Sequence, residues 1–294
     1  MAADPQPVAP AGVSASRLAR RAARLVTLLW FTLVAAARAE RLPVSVYTTA
    51  QGLVQDRVLG LAQDSHGFLW FATADGLSRF DGYRFVTYGR EHGLPSAEVR
   101  VLFESRDGRY WVGTEQGLCR LVLATGRMSQ ASPEPAKTRC LAVPFASGTG
   151  SREVRGMLQD GAGRLWVGTL GGLYLLESGS EGDRLVAVPG AREQKQALGV
   201  NGLAEDREGS LWLATSSGLV RRLPDGRSVS YRAPPFKGVP RTLARSVLVD
   251  RQGWIWVGYE VGLLVLKPES AQLAATSRGL EEPVPACGVA RHPG

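Results

Sequence analysis

A tryptophan that returns at nearly even intervals, each time inside the same dozen residues, constrains this chain more than any other feature. Trp70, Trp111, Trp166, Trp212 and Trp256 are separated by 41, 55, 46 and 44 residues, the period of a propeller blade of four short strands. Three residues before each stands a glycine (Gly67, Gly108, Gly163, Gly209, Gly253), and six before stands Asp or Ser (Asp64, Ser105, Asp160, Asp206, Asp250). Asp-x-x-Gly reads as a tight turn, because the carboxylate accepts backbone N–H groups and glycine takes the positive φ. Apolar residues flank the tryptophans, such as Leu165 and Val167; a run apolar on both faces is a strand covered on both sides. Two residues beyond each tryptophan only Ala or Gly occurs (Ala72, Gly113, Gly168, Ala214, Gly258), a column with no room for a large side chain. Thr-x-x-Gly-Leu then forms a second turn in four copies, with Tyr259 replacing the threonine in the fifth.

A further strand lies upstream of each tryptophan, as in Val154–Leu158, and an alternating one downstream, as in Arg84–Tyr88. Four strands per repeat cannot bury both faces of a lone blade, so the blades must stack. The expected fold is all-β, a β-propeller of four-stranded blades with five blades present. Leu42–Thr48 reads as an outer strand arriving ahead of the first blade. Thr125–Arg152, rich in Pro, Ser and Gly, reads as an extended loop between the second and third. A truncated sixth repeat opens at about residue 277, within Thr276–Leu280, and no sixth tryptophan motif follows. The expectation is an incomplete ring, with an unpaired edge on the fifth blade that invites self-association, and with Glu281–Gly294 poorly ordered.

Gly-Leu-x-x-x-x-Val followed by Asp-x-x-Gly-x-Leu-Trp-x-Gly-Thr-x-x-Gly-Leu resembles the two-component regulator propeller repeat, over roughly Tyr47 to Leu266. The resemblance implies an extracytoplasmic sensor propeller of a two-component signalling system, lacking its output domain in this chain. It also implies an extracellular small-molecule or glycan ligand. A scaffold propeller that binds another protein is the alternative, and a propeller enzyme such as a lyase or lactonase a third. An enzyme is not expected: no Ser-His-Asp set or phosphate-binding glycine loop stands out, and no cofactor is implied.

The formal charge of +8 from 35 basic and 27 acidic residues owes much to residues 1–39, which hold five arginines and one acid. The remaining arginines are scattered, so nucleic acid is not an expected partner. Arg17, Arg20, Arg21 and Arg24 precede the apolar run Leu25–Ala37, and Ala37-Arg-Ala39 follows as an A-x-A site. That pattern is a secretory signal peptide over 1–39, with the propeller over 40–294 exported to the periplasm or secreted. A membrane is reached only through a missing downstream part or an uncleaved N-terminal anchor. Cys119, Cys140 and Cys287 leave at least one thiol unpaired; Cys119 and Cys140 are either free thiols or a bridge formed in an oxidising compartment. His66, His92 and His292 are isolated, so no metal site is expected.

One column points to a ligand. Eleven residues before each tryptophan stand Leu59, Arg100, Arg155, Asn201 and Arg245, between columns that are apolar or small. This polar column interrupts the innermost strand near its start, where successive blades ring the mouth of the channel. Three arginines and an asparagine there suit a carboxylate, phosphate or sulfated sugar. The turn residues Asp75, Glu115, Gln116 and Glu260 are expected on the same face. The structural alternative is that each arginine pairs with a neighbouring blade's acid, such as Glu98 or Glu153.

Overall fold

Two tight turns per repeat reverse the chain, so each repeat lays down antiparallel strands in sequence order. The computed structural model describes residues 44–123, 138–146, 150–189, 192–193, 196–231, 243–260 and 262–267. Two units make up the chain, Met1–Val46 and Tyr47–Gly294, and every described strand lies in the second. Blade one comprises β1 (Val58–Gln63), β2 (Leu69–Thr73), β3 (Gly76–Phe80) and β4 (Phe85–Tyr88). Blade two comprises β5 (Val99–Glu104), β6 (Tyr110–Thr114), β7 (Gly117–Val122) and β8 (Arg139–Val143). Blade three comprises β9 (Val154–Gln159), β10 (Leu165–Thr169), β11 (Gly172–Gly179) and β12 (Gly182–Ala187). A short hairpin, β13 (Arg192–Glu193) and β14 (Gln196–Ala197), leads to blade four: β15 (Val200–Glu205), β16 (Leu211–Thr215), β17 (Gly218–Arg222) and β18 (Ser228–Tyr231). Blade five shows β19 (Ala244–Val249), β20 (Ile255–Tyr259) and β21 (Gly262–Leu266), three strands among the described residues.

The turn columns behave as their chemistry requires. Asp64 Oδ1 accepts His66 N and Phe68 N at 3.0 and 2.9 Å, while Gly67 sits at φ +88°. The threonine column closes the second turn: Thr73, Thr114, Thr169 and Thr215 donate their hydroxyls to the carbonyls of Gly76, Gly117, Gly172 and Gly218. The Asp column also does something that its turn role does not announce. Its second carboxylate oxygen accepts the indole N–H of the tryptophan six residues on, in Asp64–Trp70, Asp160–Trp166, Asp206–Trp212 and Asp250–Trp256 at 2.8–2.9 Å. In blade two Ser105 accepts from Trp111 at 3.1 Å and donates in turn to Asp107.

Burial follows the stacking of blades. Four apolar clusters are present, each shared by consecutive blades. Each joins the Trp and Leu columns of one blade to the residue that opens the first strand of the next, Val99, Val154, Val200 or Ala244. Trp166 and Leu173 of blade three, for example, pack with Val200, Leu211, Leu213 and Val220 of blade four. The small column is small because the next blade presses on it: a Cβ on Gly113 would lie 2.5 Å from Val154 Cγ1, and one on Gly168 2.8 Å from Val200 Cγ1. Among the described residues no cluster joins blade five to blade one, and no closed ring is formed by the described strands.

Two expectations change, and one open alternative is resolved. Residues 44–48 carry no strand; Tyr47 instead lays its ring against Phe80 and Phe85 at centroid distances of 5.0 and 5.8 Å. The stretch read as a loop between blades two and three contains β8, so blade two recruits its outer strand from a segment whose composition reads as linker. A disulfide joins Cys119 and Cys140, with Cα atoms 5.5 Å apart. It ties β7 to β8, where Leu121 stands opposite Cys140, and so anchors that distant strand. The stretches read as a signal peptide, a truncated sixth repeat and a C-terminal tail fall outside the described residues.

Candidate functional site

Every innermost strand carries the same irregularity. The register of β1 on β2 runs Val58↔Thr73 and then Gly60↔Ala72, leaving Leu59 without an opposite residue. The same bulge extrudes Arg100, Arg155, Asn201 and Arg245 from β5, β9, β15 and β19. A bulge inserts one residue and re-aims a side chain that strict alternation would send elsewhere. The residue before the bulge in blades two to five, Val99, Val154, Val200 or Ala244, therefore stays in the interblade core while the bulged residue turns out of it. The glycine that often follows lets neighbouring innermost strands approach: a Cβ on Gly60 would meet the Arg100 carbonyl oxygen at 2.7 Å.

Those five residues, one from each blade, line a single cavity of about 190 Å³. The sequence column thus converges on one place. The turns after the tryptophan strands lie at the same end, since Glu115 N donates to Glu98 O and Ala74 N to Arg57 O. Asp75 and Glu115 sit in those turns and do not line the cavity, whereas Glu260 pairs with the lining Arg245.

The arginines are already engaged. Arg100 Nη2 contacts Glu98 Oε1 at 2.5 Å and Glu153 Oε1 at 3.0 Å, and Arg155 Nη2 contacts the same Glu153 oxygen at 2.7 Å. Glu153, which is largely buried, bridges two guanidinium groups of adjacent blades. The expected acids, Glu98 and Glu153, therefore do pair, Glu98 within its own strand's approach and Glu153 across the blade boundary as well. Asn201 Nδ2 donates to Ala244 O at 2.8 Å, linking blade four to blade five. Burial lowers the Arg155 pKa from its ordinary value; Glu153 opposes this and the like charges of Arg100 and Arg245 add to it. The group nevertheless stays cationic, as arginine does in proteins. Three cations and three carboxylates balance, so the mouth is polar and polarised rather than strongly charged.

Pairing does not exhaust the donors. Arg100 Nε and Arg155 Nε are buried and make no hydrogen bond within the described protein. A buried polar group without a partner calls for an explanation, and two such donors beside one cavity supply a place for an acceptor. Sequence reading missed the bulge and the lining role of Leu59; the signal was the repeated Val-x-Gly at the start of β1, β9 and β15. Among the described residues no group of three or more His, Cys, Asp or Glu could hold a metal ion, and no helix is long and apolar enough to cross a membrane.

Several solved structures share the architecture. The extracellular domain of a hybrid two-component system from B. thetaiotaomicron aligns at a TM-score of 0.56 and 20% identity, over 71% of this chain and 27% of that one. PorZ, a surface component of the type-IX secretion system of Porphyromonas gingivalis, aligns at 0.57 and 16% identity, over 79% and 34%. Virginiamycin B lyase from Staphylococcus aureus aligns at 0.52 and 14%, over 72% and 67%. The chain thus spans about a third or less of the first two. At these identities the likeness is one of fold, and it extends to a propeller enzyme. No curated protein matches the chain in sequence. The profile of the two component regulator propeller matches residues 52–75, 93–116 and 148–171, which carry the tryptophan turn of blades one to three and, in the first two, the glycine-leucine entry. Blades four and five repeat the tryptophan columns, and the chain is a β-propeller whose first three blades match the two component regulator propeller repeat.

Proposed function

We propose that this propeller is the ligand-binding module of an extracytoplasmic sensor, and that it takes a small acidic sugar at the mouth lined by Arg100, Arg155, Asn201 and Arg245. The observation that carries this reading is the bulge repeated in all five blades, which turns one residue per blade into a common cavity. A structural arginine column would need no such convergence.

The size of the cavity limits the ligand. Its 190 Å³ is below the roughly 300–1,000 Å³ that encloses a drug-sized molecule, so a single sugar unit or the end of a longer glycan fits better than a large ligand. A carboxylate suits the guanidinium donors, which bind planar anions through two parallel hydrogen bonds. Sugar hydroxyls suit Glu98, Glu153 and Asn201, which offer acceptors and an amide. Location outside the cytoplasm is supported by the Cys119–Cys140 bridge, since disulfides persist in oxidising compartments, and by the basic head, apolar run and A-x-A exit of residues 17–39.

The test is calorimetric titration of the exported protein with glucuronate, galacturonate, glucose and inorganic phosphate. Saturable binding of a uronate, weakened by added salt and absent for glucose, is the expected result. Equal affinity for glucose, or no binding of either uronate, overturns the reading.

A further inference from the structure

Five blades make four interblade clusters, so two blade faces are left over. Each carries columns that the other blades bury in their interfaces. On the side of blade one that faces away from blade two, Val58, Leu61 and Leu69 are 38, 71 and 40% exposed. Their counterparts Val99, Leu102 and Tyr110 in blade two are at most 7% exposed. On the far side of blade five, Leu248 and Leu263 are 61 and 53% exposed, whereas Leu77, Leu118, Leu173 and Leu219, which occupy the Leu263 column, are at most 2% exposed. The two faces are not alike but complementary, one offering the valine side and the other the Trp-Gly-Leu side.

A polar latch accompanies the apolar match. The last residue of β5, β9 and β15 reaches back to the turn of the preceding blade. Glu104 accepts Ser65 N and Ser65 Oγ, both at 2.6 Å; Gln159 Oε1 accepts Arg106 N at 2.7 Å; Glu205 Oε2 accepts Gly161 N at 2.7 Å. Gln63 holds that position in blade one. Its amide donates to Gly67 O at 3.4 Å, as that of Gln159 donates to Gly163 O at 3.0 Å, and among the described residues its carbonyl oxygen accepts nothing. The matching turn position of blade five is Arg251. Blade one therefore presents the apolar column and the latch together, in the register that a preceding blade would meet.

We propose that the blade-one face of one copy takes the blade-five face of a second copy, head to tail. Within one copy the two faces are uncovered, so they do not satisfy each other; among the described faces only blade five carries what blade one's columns are built to receive. Such a contact is heterologous, since two different surfaces meet. It propagates until rotation closes a ring, or grows as an open chain if it does not. Burying an exposed apolar face of this kind is favourable for the same reason that the four internal interfaces are.

The experiment is sedimentation velocity on the chain and on Leu61→Arg and Leu263→Arg variants. The unaltered protein is expected to form species beyond monomer as concentration rises. Each variant retains one competent face, so each alone should remain monomeric. An equimolar mixture should give dimers that grow no further, because the Leu61→Arg copy supplies a blade-five face and the Leu263→Arg copy a blade-one face. Both side chains are exposed in the single copy, so the variants should melt as the unaltered protein does; if an arginine variant melts early, the Leu61→Ser and Leu263→Ser pair gives the same readout. A strictly monomeric protein, variants that assemble unaided, or a mixture that stays monomeric overturns the proposal. Coverage of the faces by further blades of a longer chain would appear as the first of these outcomes.

Discussion

The indole nitrogen of Trp166 donates to Asp160 Oδ2 at 2.8 Å while Arg164 Nε donates to the same oxygen at 2.7 Å and Arg164 N to Oδ1 at 2.8 Å. One carboxylate, 1% exposed, thus closes the turn, holds the core tryptophan and places the Arg164 guanidinium over its ring. This joins the local turn to the interblade core, and it explains why Asp and Trp keep a fixed separation in four of the five repeats.

Asp160→Ala should destabilise the propeller by about 2–3 kcal/mol, because it leaves a buried indole N–H and a turn N–H without acceptors. The linked pH dependence has a definite sign. Burial raises the Asp160 pKa, but the hydrogen bonds from Trp166 and Arg164 outweigh it and the net value lies below that of an ordinary aspartate. A depressed carboxylate stabilises the fold above its unfolded pKa, and that contribution is lost as the pH falls below about 4. Asp160→Asn should flatten the acid limb of the melting-temperature profile between pH 5 and pH 2; thermal melts across that range check both variants.

Gly113→Ala should cost about 1–3 kcal/mol by overpacking, since the new methyl would lie 2.5 Å from Val154 Cγ1 and 2.7 Å from Val101 Cγ1. Gly258→Ala should cost less, because its nearest neighbour is the hydroxyl of Ser246, within its own blade. Val154→Ala should recover part of the loss in the Gly113→Ala background, giving a favourable coupling energy in a double-mutant cycle. Urea unfolding of the four proteins measures it.

Reduction of Cys119–Cys140 should lower stability by about 3 kcal/mol on the loop-closure account, for a sequence separation of 21. Without the bond, β8 is held by pairing with β7 and by the packing of Val143 against blade three. Limited proteolysis should then cleave between residues 123 and 138 faster in the Cys119→Ala/Cys140→Ala variant, and thiol titration of the denatured, unreduced protein should find one free thiol among the three cysteines.

Much of this architecture is legible in the sequence because a propeller repeats its constraints. Gly67, Trp70, Ala72 and Leu77 each stand in a column of five, and a column exposes its cause: a positive φ, a core side chain, a close approach, a strand end. What escaped reading lacks that redundancy. Strand β8 is specified by a disulfide to Cys119 and by pairing across a long insertion, neither of which has a period. The indole–carboxylate bond was hidden because the same Asp satisfies a simpler rule for turns. At the candidate site the column was legible but its geometry was not. Alternation alone sends Arg100 and Val99 to opposite faces, while the bulge is a register property that only pairing with Gly113 and Thr114 reveals. The ion pairs of Glu153 likewise depend on how two blades meet.

The functional account stands or falls on the arginine donors at the mouth. Arg100→Lys/Arg155→Lys keeps both positive charges beside Glu98 and Glu153, and so preserves the fold, but removes the planar forks that bind a carboxylate through paired hydrogen bonds. The measurement is uronate affinity by calorimetry, with the melting temperature recorded on the same samples. The account predicts an affinity loss of about tenfold or more, corresponding to ~1.4 kcal/mol, with the melting temperature nearly unchanged. Unaltered affinity in the double variant contradicts it, and assigns these arginines to holding the blades together rather than to the ligand.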